Sequence, residues 1–126
     1  TMKQIINDKV ASAPAILSQA IESSGFIFLS GQIGADINWK LVEGGIKNET
    51  KKALENIQAI LELSNSSMNH VIRVTIYVTD ITAGKIINEI YSSFFSEILP
   101  VREMIEVRAL PLGAQIEISV IAERKL

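Results

Sequence analysis

Two charged residues in the C-terminal quarter of the chain have the types and positions needed to act on a small organic acid. Arg102 follows Pro100 by two residues, where a helix has to stop and a strand begins. A guanidinium group at that point can bind a carboxylate through two parallel hydrogen bonds. Glu117 lies in the next apolar segment, and an ionised glutamate can accept a proton from water. We expect the two side chains to lie near each other, an arrangement suited to hydrolysis of a small organic acid.

The segment that contains Glu117 predicts a β-strand with two different faces. Every second residue is apolar, namely Ile116, Ile118, Val120 and Ala122. Because side chains of a strand alternate between faces, Glu117 is expected on the other face, beside Gln115 and Ser119. From the residues alone, two interpretations of Glu117 are equal: a general base, or a glutamate paired across the sheet with Arg108.

Apolar periodicity predicts the elements that must position these residues. Two amphipathic helices are indicated, one running from about residue 46 to Ser64–Ser67 and the other ended by Pro100. Their apolar stripes are Ala53, Leu54, Ile57, Ile60 and Leu61, and then Ile87, Ile90, Tyr91, Phe94, Phe95 and Ile98. Strands are predicted at Lys3–Ile6, Ala15–Ile21, Phe26–Leu29, Val71–Thr79 and on both sides of a turn in the C-terminal quarter. Glu22–Gly25 is expected to form a hairpin turn, and residues 34–45 a surface loop.

These elements predict a single two-layer α+β domain over residues 1–126, with both helices packed on one face of a sheet. In the strand at 71–79, four residues are expected on the helix-facing side: Ile72, Val74, Ile76 and Val78. The other sheet face is expected to carry Val71 and Ile121, interleaved with Thr75, Tyr77 and Ser119. A half-apolar face without helices needs another cover, and self-association is the simplest one.

Composition and charge argue against several kinds of site and partner. The net charge is −2 with acidic and basic residues interspersed, so there is no basic stripe for nucleic-acid phosphates, and we expect no nucleic-acid partner. The chain has no cysteine, which excludes disulfides, thiol catalysis and thiolate metal sites. His70 is the one histidine, so we expect no metal site and assign it a capping or surface role.

The sequence also gives expectations about location. No apolar run approaches the length needed to span a membrane, so no membrane partner is expected. The first residues, Thr1-Met2-Lys3, lack the apolar run of a signal peptide. We therefore expect a cytoplasmic protein.

Several short blocks of sequence carry a family resemblance. They are Ser30-Gly-Gln-Ile33, Leu41-Val-Glu-Gly-Gly45, Asn88–Phe95, Pro100-Val-Arg102, Glu106-Val107, Leu110-Pro111 and Ile116-Glu-Ile118. With compatible spacing over nearly the whole chain, they resemble the RidA family, also called YjgF or endoribonuclease L-PSP. The resemblance implies a mixed β-sheet with two helices on one face, a RidA-like and chorismate-mutase-like fold. It also implies a homotrimer with active sites in clefts between subunits.

The resemblance implies a role for each matched residue. Arg102 would bind the substrate carboxylate, and Glu117 would orient or deprotonate a water that attacks a C=N carbon. Ser30 and Gly31 would line the cleft, although simple turn chemistry is the better explanation for Ser30 taken alone. Asn88 would reach into the neighbouring subunit's cleft. Without the resemblance, an exposed helix residue is the simplest interpretation of Asn88.

Three positions depart from the family pattern. The family's glycine-proline-tyrosine segment falls on Ala15-Ile16-Leu17, so Leu17 stands where a tyrosine hydroxyl helps to frame the family's site. Glu103 follows Arg102 directly, where small residues are usual, and either competes for the guanidinium or points away across the strand. Met104 stands where many members have cysteine. Its backbone can still supply a substrate contact, while its side chain narrows the pocket.

The leading hypothesis is an enamine/imine deaminase acting on 2-iminobutanoate and 2-iminopropanoate without a metal or organic cofactor. Such imines are already electrophilic, so orientation and one proton acceptor suffice. The residues alone favour a surface arginine paired with Glu103 or Glu106, and the resemblance reverses that preference for Arg102. One alternative is a regulatory protein that binds a small carboxylate without turnover. Another is an endoribonuclease that inhibits translation, against which the acidic balance argues.

Overall fold

A computed structural model of the protein describes residues 1–126 and contains one mixed sheet of seven strands. The strands are β1 (Lys3–Ile5), β2 (Ala20–Ser23), β3 (Phe26–Leu29), β4 (Gln32–Ile33), β5 (Val71–Val78), β6 (Val101–Glu106) and β7 (Ile116–Glu123). Their order is β1-β2-β3-β7-β5-β6, and β4 pairs with β7 beyond the end of β3. All neighbours are antiparallel except β5 and β6, which are parallel.

Two helices pack on one face of this sheet, as the apolar stripes predict. Helix α1 spans Ile46–Leu63 and α2 spans Gly84–Ser92, with α2 forming the crossover between the parallel strands β5 and β6. The predicted stripe of α1 is fully buried: Ala53, Leu54, Ile57, Ile60 and Leu61. It packs against alternate residues of the central strands, namely Val74, Ile76, Val78, Ile116, Ile118, Val120 and Ala122. The two-layer α+β prediction is therefore confirmed.

Helix α2 is shorter than its apolar periodicity predicts. It ends at Ser92, eight residues before Pro100, so the prediction that proline ends it is wrong. The Ser93 hydroxyl donates to the carbonyl of Ile90 at 2.6 Å, a local bond that competes with the helical pattern. Beyond that point the chain is not helical, so an apolar residue at helical spacing need not be buried. The side chain of Ile98, the last residue of the predicted stripe, is 86% exposed.

Strand β5 contains an irregularity that the alternation does not predict. Its register with β7 shifts between Val71 and Arg73, which makes Ile72 a bulge residue. A bulge changes the phase of alternation, so Val71 joins the core while Ile72 is exposed. The predicted faces of Val71 and Ile72 are thus wrong, whereas Val74 and the later residues lie as expected.

The N-terminal region also differs from its prediction. The segment before β2 is a turn in which the amides of Ile16 and Leu17 both donate to the carbonyl of Ala13, so the strand begins at Ala20 and not at residue 15. Proline at position 14 fixes its own φ and lacks an amide for strand pairing, which favours this turn. The predicted hairpin turn and the predicted loop at 34–45 are both present.

The sheet face opposite the helices is uncovered and rich in exposed apolar side chains. They come from three strands: Phe26, Phe28, Val101 and Ile105 are exposed, and Ile121 is half-buried. None of them belongs to the hydrophobic core. No helix of the structure has the length and apolar character needed to cross a membrane.

Candidate active site

The candidate residues fall into two groups on opposite faces of the sheet. Arg102 pairs in register with Val74, whose side chain is in the core, so Arg102 lies on the helix-facing side. Glu117 pairs with Tyr77 and lies on the open face. Two strand spacings and three residues of rise separate the Cα atoms of Arg102 and Glu117 by roughly 14 Å. The expectation that they lie near each other is therefore wrong within one chain. Their partners on β5, Val74 and Tyr77, are an odd number of residues apart, and side chains along a strand alternate between the two faces.

The first group, which we call the arginine cluster, consists of Asn88, Tyr91, Arg102 and Met104. The Arg102 guanidinium donates from Nη1 to Asn88 Oδ1 at 2.6 Å. Its central carbon lies 4.9 Å from the centroid of the Tyr91 ring, a cation–π distance. Two contacts from α2 thus orient the guanidinium, and since arginine carries five N–H donors, most remain free for an anion.

Neither neighbouring glutamate neutralises Arg102. Glu103, the next residue of β6, points to the other face and forms an ion pair with Arg73. The Glu106 carboxylate accepts a hydrogen bond from the amide of Ile81 at 3.0 Å. The alternative of an arginine paired with Glu103 or Glu106 is therefore wrong, and Glu103 does not compete for the guanidinium.

Tyr91 and Met104 anchor the arginine cluster to the core. Tyr91 is 8% exposed, and burial raises the pKa of its hydroxyl, an effect that the nearby Arg102 charge opposes. Met104 lies on the same face of β6 as Arg102, is half-buried and packs against the core.

The second group surrounds a cleft of about 540 Å³, which we call the glutamate cleft. It is lined by Ala13, Ile16, Leu17, Ser30, Gly31, Ile33, Trp39, Pro111, Leu112 and Glu117. Four of these are predicted site residues, brought together from the turn before β2, the end of β3 and the start of β7. Glu117 is the one ionisable group among the lining residues.

Glu117 is held against the backbone of Gly31. A Cβ atom built on Gly31 would clash with the Glu117 carboxylate, so only glycine leaves room for the carboxylate in this position. On the strands beside it, Ile33 and Tyr77 occupy the paired positions. This burial raises the pKa of the Glu117 carboxyl, which makes its ionised form a stronger base.

No cation neutralises Glu117. Neither of the two ion pairs of the chain, Arg73–Glu103 and Arg124–Glu22, includes it, so the alternative of a pair with Arg108 is wrong. Ser30 lies beside it, but the Ser30 hydroxyl donates to the carbonyl of Ser18 at 2.6 Å. Glu117 is thus the sole free proton acceptor with a charge in the cleft.

Sequence reasoning missed several residues that shape the two groups. Tyr91 was assigned only to an apolar helix stripe, although its ring also supports Arg102. Trp39 and Leu112 line the glutamate cleft, and both have left-handed backbone conformations, with φ of 61° and 59°. For Trp39 the sequence offers two interpretations, a lid residue or partial packing on the surface, and it favours the second, so the place of Trp39 in the cleft wall is not the preferred expectation. No sequence signal indicates Leu112, because leucine rarely adopts that conformation.

His70 belongs to neither group. Its Nδ1 lies 2.8 Å from the Ser67 hydroxyl at the start of the short helical turn Met68–His70. No group of three or more histidine, aspartate or glutamate side chains is placed to share a metal ion.

Comparisons with known sequences cover almost the whole chain. Residues 9–124 match the protein family described as endoribonuclease L-PSP. A RutC family protein of Pyrococcus horikoshii is 41% identical, over 98% of this chain and 100% of its own length. The 2-iminobutanoate/2-iminopropanoate deaminase of Mus musculus is 37% identical, over 95% of this chain and 90% of its own length.

Solved structures give the same coverage. The crystal structure of RidA from the Antarctic bacterium Psychrobacter sp. has a TM-score of 0.91 and 34% identity, over 96% of this chain and 98% of that chain. A putative endoribonuclease from Thermotoga maritima has a TM-score of 0.93 and 35% identity, over 98% of both chains. The shared fold thus includes the strands that carry both the arginine cluster and the glutamate cleft.

Proposed function

Since the chain belongs to the endoribonuclease L-PSP family, also called RidA or YjgF, we propose that it hydrolyses reactive enamines and imines of 2-oxo acids. The substrates would be 2-aminoacrylate with its tautomer 2-iminopropanoate, and 2-iminobutanoate. The products would be the 2-oxo acid and ammonia. Mouse and rat relatives named for this activity, 37% and 39% identical to this chain, support the proposal.

We infer that the working site forms between protomers of a homotrimer. Arg102 and Glu117 lie on opposite faces of the sheet, so one chain does not offer both to a small substrate. The exposed apolar side chains of the open face, Phe26, Phe28, Val101 and Ile105, provide a surface for association. The arginine cluster of one protomer, including Asn88, would then face the glutamate cleft of its partner. Light scattering should give three times the mass of one chain, and a stable monomer at micromolar concentration would contradict this assembly.

In this assembly each group has a defined task. Arg102 of one protomer binds the substrate carboxylate through paired hydrogen bonds. Glu117 of its partner takes a proton from a water molecule while the water oxygen bonds to the imine carbon. The proton then passes to the nitrogen, which gives a carbinolamine. A second proton moves from the carbinolamine hydroxyl through Glu117 to the same nitrogen as the C–N bond breaks, so ammonia leaves and the C=O group of the 2-oxo acid forms. Imine and water are thus converted to 2-oxo acid and ammonia without further reactants.

The environment of Glu117 is the observation that carries the proposal. Within one chain the carboxylate lies in a cleft without a cation, rests on Gly31 and has a raised pKa because burial disfavours its charge. The Ser30 hydroxyl donates its proton to the carbonyl of Ser18, so it is not a free proton donor in the cleft. This is the environment of a general base.

A direct imine assay tests the proposal. Imine is generated in situ by an amino-acid oxidase, trapped with semicarbazide, and followed with and without the purified protein. We expect the trapped signal to fall in proportion to the amount of protein. Glu123→Gln, which alters an exposed glutamate of the same strand, is the matched control for Glu117→Gln. An unchanged trapped signal with the wild-type protein would contradict a deaminase.

Binding of a small carboxylate without turnover is the second candidate function. It is favoured by Leu17, which brings no hydroxyl to the cleft, and by the engaged hydroxyl of Ser30. Calorimetric binding of 2-oxobutanoate without imine hydrolysis would support it, and so would hydrolysis that appears in Leu17→Tyr. RNA cleavage that survives Arg102→Ala would instead support a ribonuclease, which the net charge of −2 does not favour.

A further inference from the structure

We propose that the glutamate cleft selects imino acids with large apolar side chains, such as those formed from leucine or phenylalanine. The inference deepens the proposed function and rests on it. The walls around Glu117 are formed by the apolar side chains of Ile16, Leu17, Trp39 and Leu112, which come from three separate segments of the chain.

The size and lining of the cleft set its preference. Its volume is about 540 Å³, and the polar side-chain groups that line it besides Glu117 are both engaged: the Ser30 hydroxyl donates to the carbonyl of Ser18, and the Trp39 indole N–H donates to the carbonyl of Ser12. A methyl group on the substrate would cover little of the apolar wall. An isobutyl or benzyl group would remove much more of it from water, which is the main source of apolar affinity.

The lining of the cleft favours an apolar substrate side chain. In the proposed assembly Arg102 of the partner protomer binds the substrate carboxylate, which leaves the nitrogen and the side chain as the other substituents of the imine carbon. Gly31 closes the side of the cleft on which the Glu117 carboxylate rests. The rest of the lining that a substrate side chain can contact is mainly apolar and includes Leu17, Trp39 and Leu112.

The Trp39 wall is preformed. Its indole N–H donates to the carbonyl of Ser12 at 3.1 Å, which ties the loop to the turn that carries Leu17. The Asp36 carboxylate accepts hydrogen bonds from the amides of Asn38 at 2.9 Å and Lys40 at 3.1 Å, and this closes the loop on both sides of Trp39. A wall that is fixed before the ligand arrives loses little conformational entropy on binding.

The turn that exposes the side chain of Leu112 has a strained backbone. The φ of Leu112 is 59°, a left-handed conformation that suits glycine or asparagine and is strained for leucine. The turn is closed by the amide of Ala114 donating to the carbonyl of Pro111 at 3.1 Å. The strained turn presents an apolar side chain, 59% exposed, at the mouth of the cleft, where a ligand can cover it.

Substrate comparison with the wild-type protein is the first test. Imines generated by amino-acid oxidase from leucine, phenylalanine and alanine are compared by kcat/KM in the semicarbazide assay. We expect the leucine- and phenylalanine-derived imines to be preferred by at least about tenfold, since even one extra methylene in an apolar pocket gives about 10–200-fold. Measurable hydrolysis with equal or better kcat/KM for the alanine-derived imine would overturn the inference and leave the proposed function standing.

A matched pair of variants locates the preference. Leu112→Asn keeps a residue that tolerates the left-handed backbone while removing the apolar side chain. We expect it to lower the leucine-to-alanine ratio of kcat/KM by roughly tenfold. Leu63→Asn changes a leucine that is equally exposed, 58% against 59%, but lies at the end of α1, and it should leave the ratio unchanged. Equal ratios in the two variants would overturn the role of Leu112.

A binding measurement keeps the inference testable if no imine is hydrolysed. In that case the proposed turnover fails, and calorimetry compares the affinity of the protein for 4-methyl-2-oxopentanoate with its affinity for pyruvate. Tighter binding of the branched acid by about tenfold or more supports the apolar selection by the cleft. Equal binding of the two acids would overturn it.

Discussion

The arginine cluster and the glutamate cleft are built from one sheet by opposite means. Arg102 lies on the edge strand β6, exposed to solvent, and is oriented from outside by Asn88 and the ring of Tyr91. Glu117 lies on the central strand β7, half-buried, against the backbone of Gly31 and without a side-chain partner. The charge of Arg102 is therefore exposed to solvent, whereas burial destabilises the charge of Glu117.

This difference matches two different chemical tasks. Capture of an anion requires a permanent charge whose donors are oriented and free, which arginine on an exposed edge supplies. Proton transfer requires a group whose pKa is moved toward the working pH, and burial does this for Glu117. Within one chain the two groups lie on opposite faces of the sheet, and in the proposed trimer they meet only across the interface between protomers.

Removal of the proton acceptor is expected to have the largest effect, and it tests the different tasks assigned to Glu117 and Arg102. In Glu117→Gln the side chain keeps its shape, so we expect turnover of imines to fall by about 10²–10⁴, the usual contribution of a general base. Affinity for 2-oxobutanoate should change little, because Arg102 still binds the carboxylate. Steady-state kinetics and calorimetry on the same preparations separate the two effects. Imine hydrolysis that Glu117→Gln leaves intact would contradict the general-base role.

Removing the anion-binding group should give the next largest effect, this time on binding. We expect Arg102→Ala to weaken 2-oxobutanoate by about 2–5 kcal/mol if the pair is desolvated in the assembled site. Arg108→Ala, which removes an exposed arginine that forms no ion pair, serves as the control in calorimetry. Equal affinity in Arg102→Ala and Arg108→Ala would remove Arg102 from the site.

A smaller change sharpens the account of how Arg102 is oriented. Tyr91→Leu removes the ring beneath the guanidinium, and Tyr91→Phe keeps it. A cation–π contact at an exposed site contributes about 0.5–1 kcal/mol, so Tyr91→Leu should weaken 2-oxobutanoate severalfold relative to Tyr91→Phe. The comparison between these two variants isolates the ring from the hydroxyl. Equal affinities would show that Asn88 alone orients Arg102.

The smallest expected effect is on stability as a function of pH. The raised pKa means that folded Glu117 binds its proton more tightly than unfolded Glu117 does. As pH rises from about 4, near the ordinary value of a glutamic acid, through the folded pKa, the contribution of Glu117 to stability therefore falls. Glu117→Gln should lose this part of the pH dependence in chemical denaturation, and gain stability at pH 7 relative to pH 4 compared with wild type. A parallel pH dependence in both proteins would show that Glu117 is not desolvated.

Regular periodicity explains what the sequence could predict. The stripe of α1 and the alternation of β7 are uninterrupted, and the structure has both as expected, including Glu117 on the face opposite the core. The family blocks likewise located Arg102 at the start of β6 and Ser30 at the end of β3.

The local sequence pattern does not predict how the arginine cluster and the glutamate cleft lie relative to each other. Whether Arg102 and Glu117 share a face depends on the strand order β7-β5-β6 and on the register between these strands. The apolar periodicity of a single segment contains neither. The bulge at Ile72 and the strained turn at Leu112 are single-residue events that depend on tertiary context. The local pattern therefore indicated the candidate residues but not that one chain separates them.

Complementation between two inactive variants tests this separation most directly. Chains carrying Arg102→Ala and chains carrying Glu117→Gln are refolded together in equal amounts, and formation of mixed trimers is verified by mass spectrometry. If each site takes Arg102 from one protomer and Glu117 from its partner, about one quarter of the sites in randomly mixed trimers contain both intact residues. We predict imine hydrolysis near one quarter of the wild-type rate, from two proteins that are nearly inactive alone. Mixed trimers as inactive as the two parent variants would contradict a site shared between protomers.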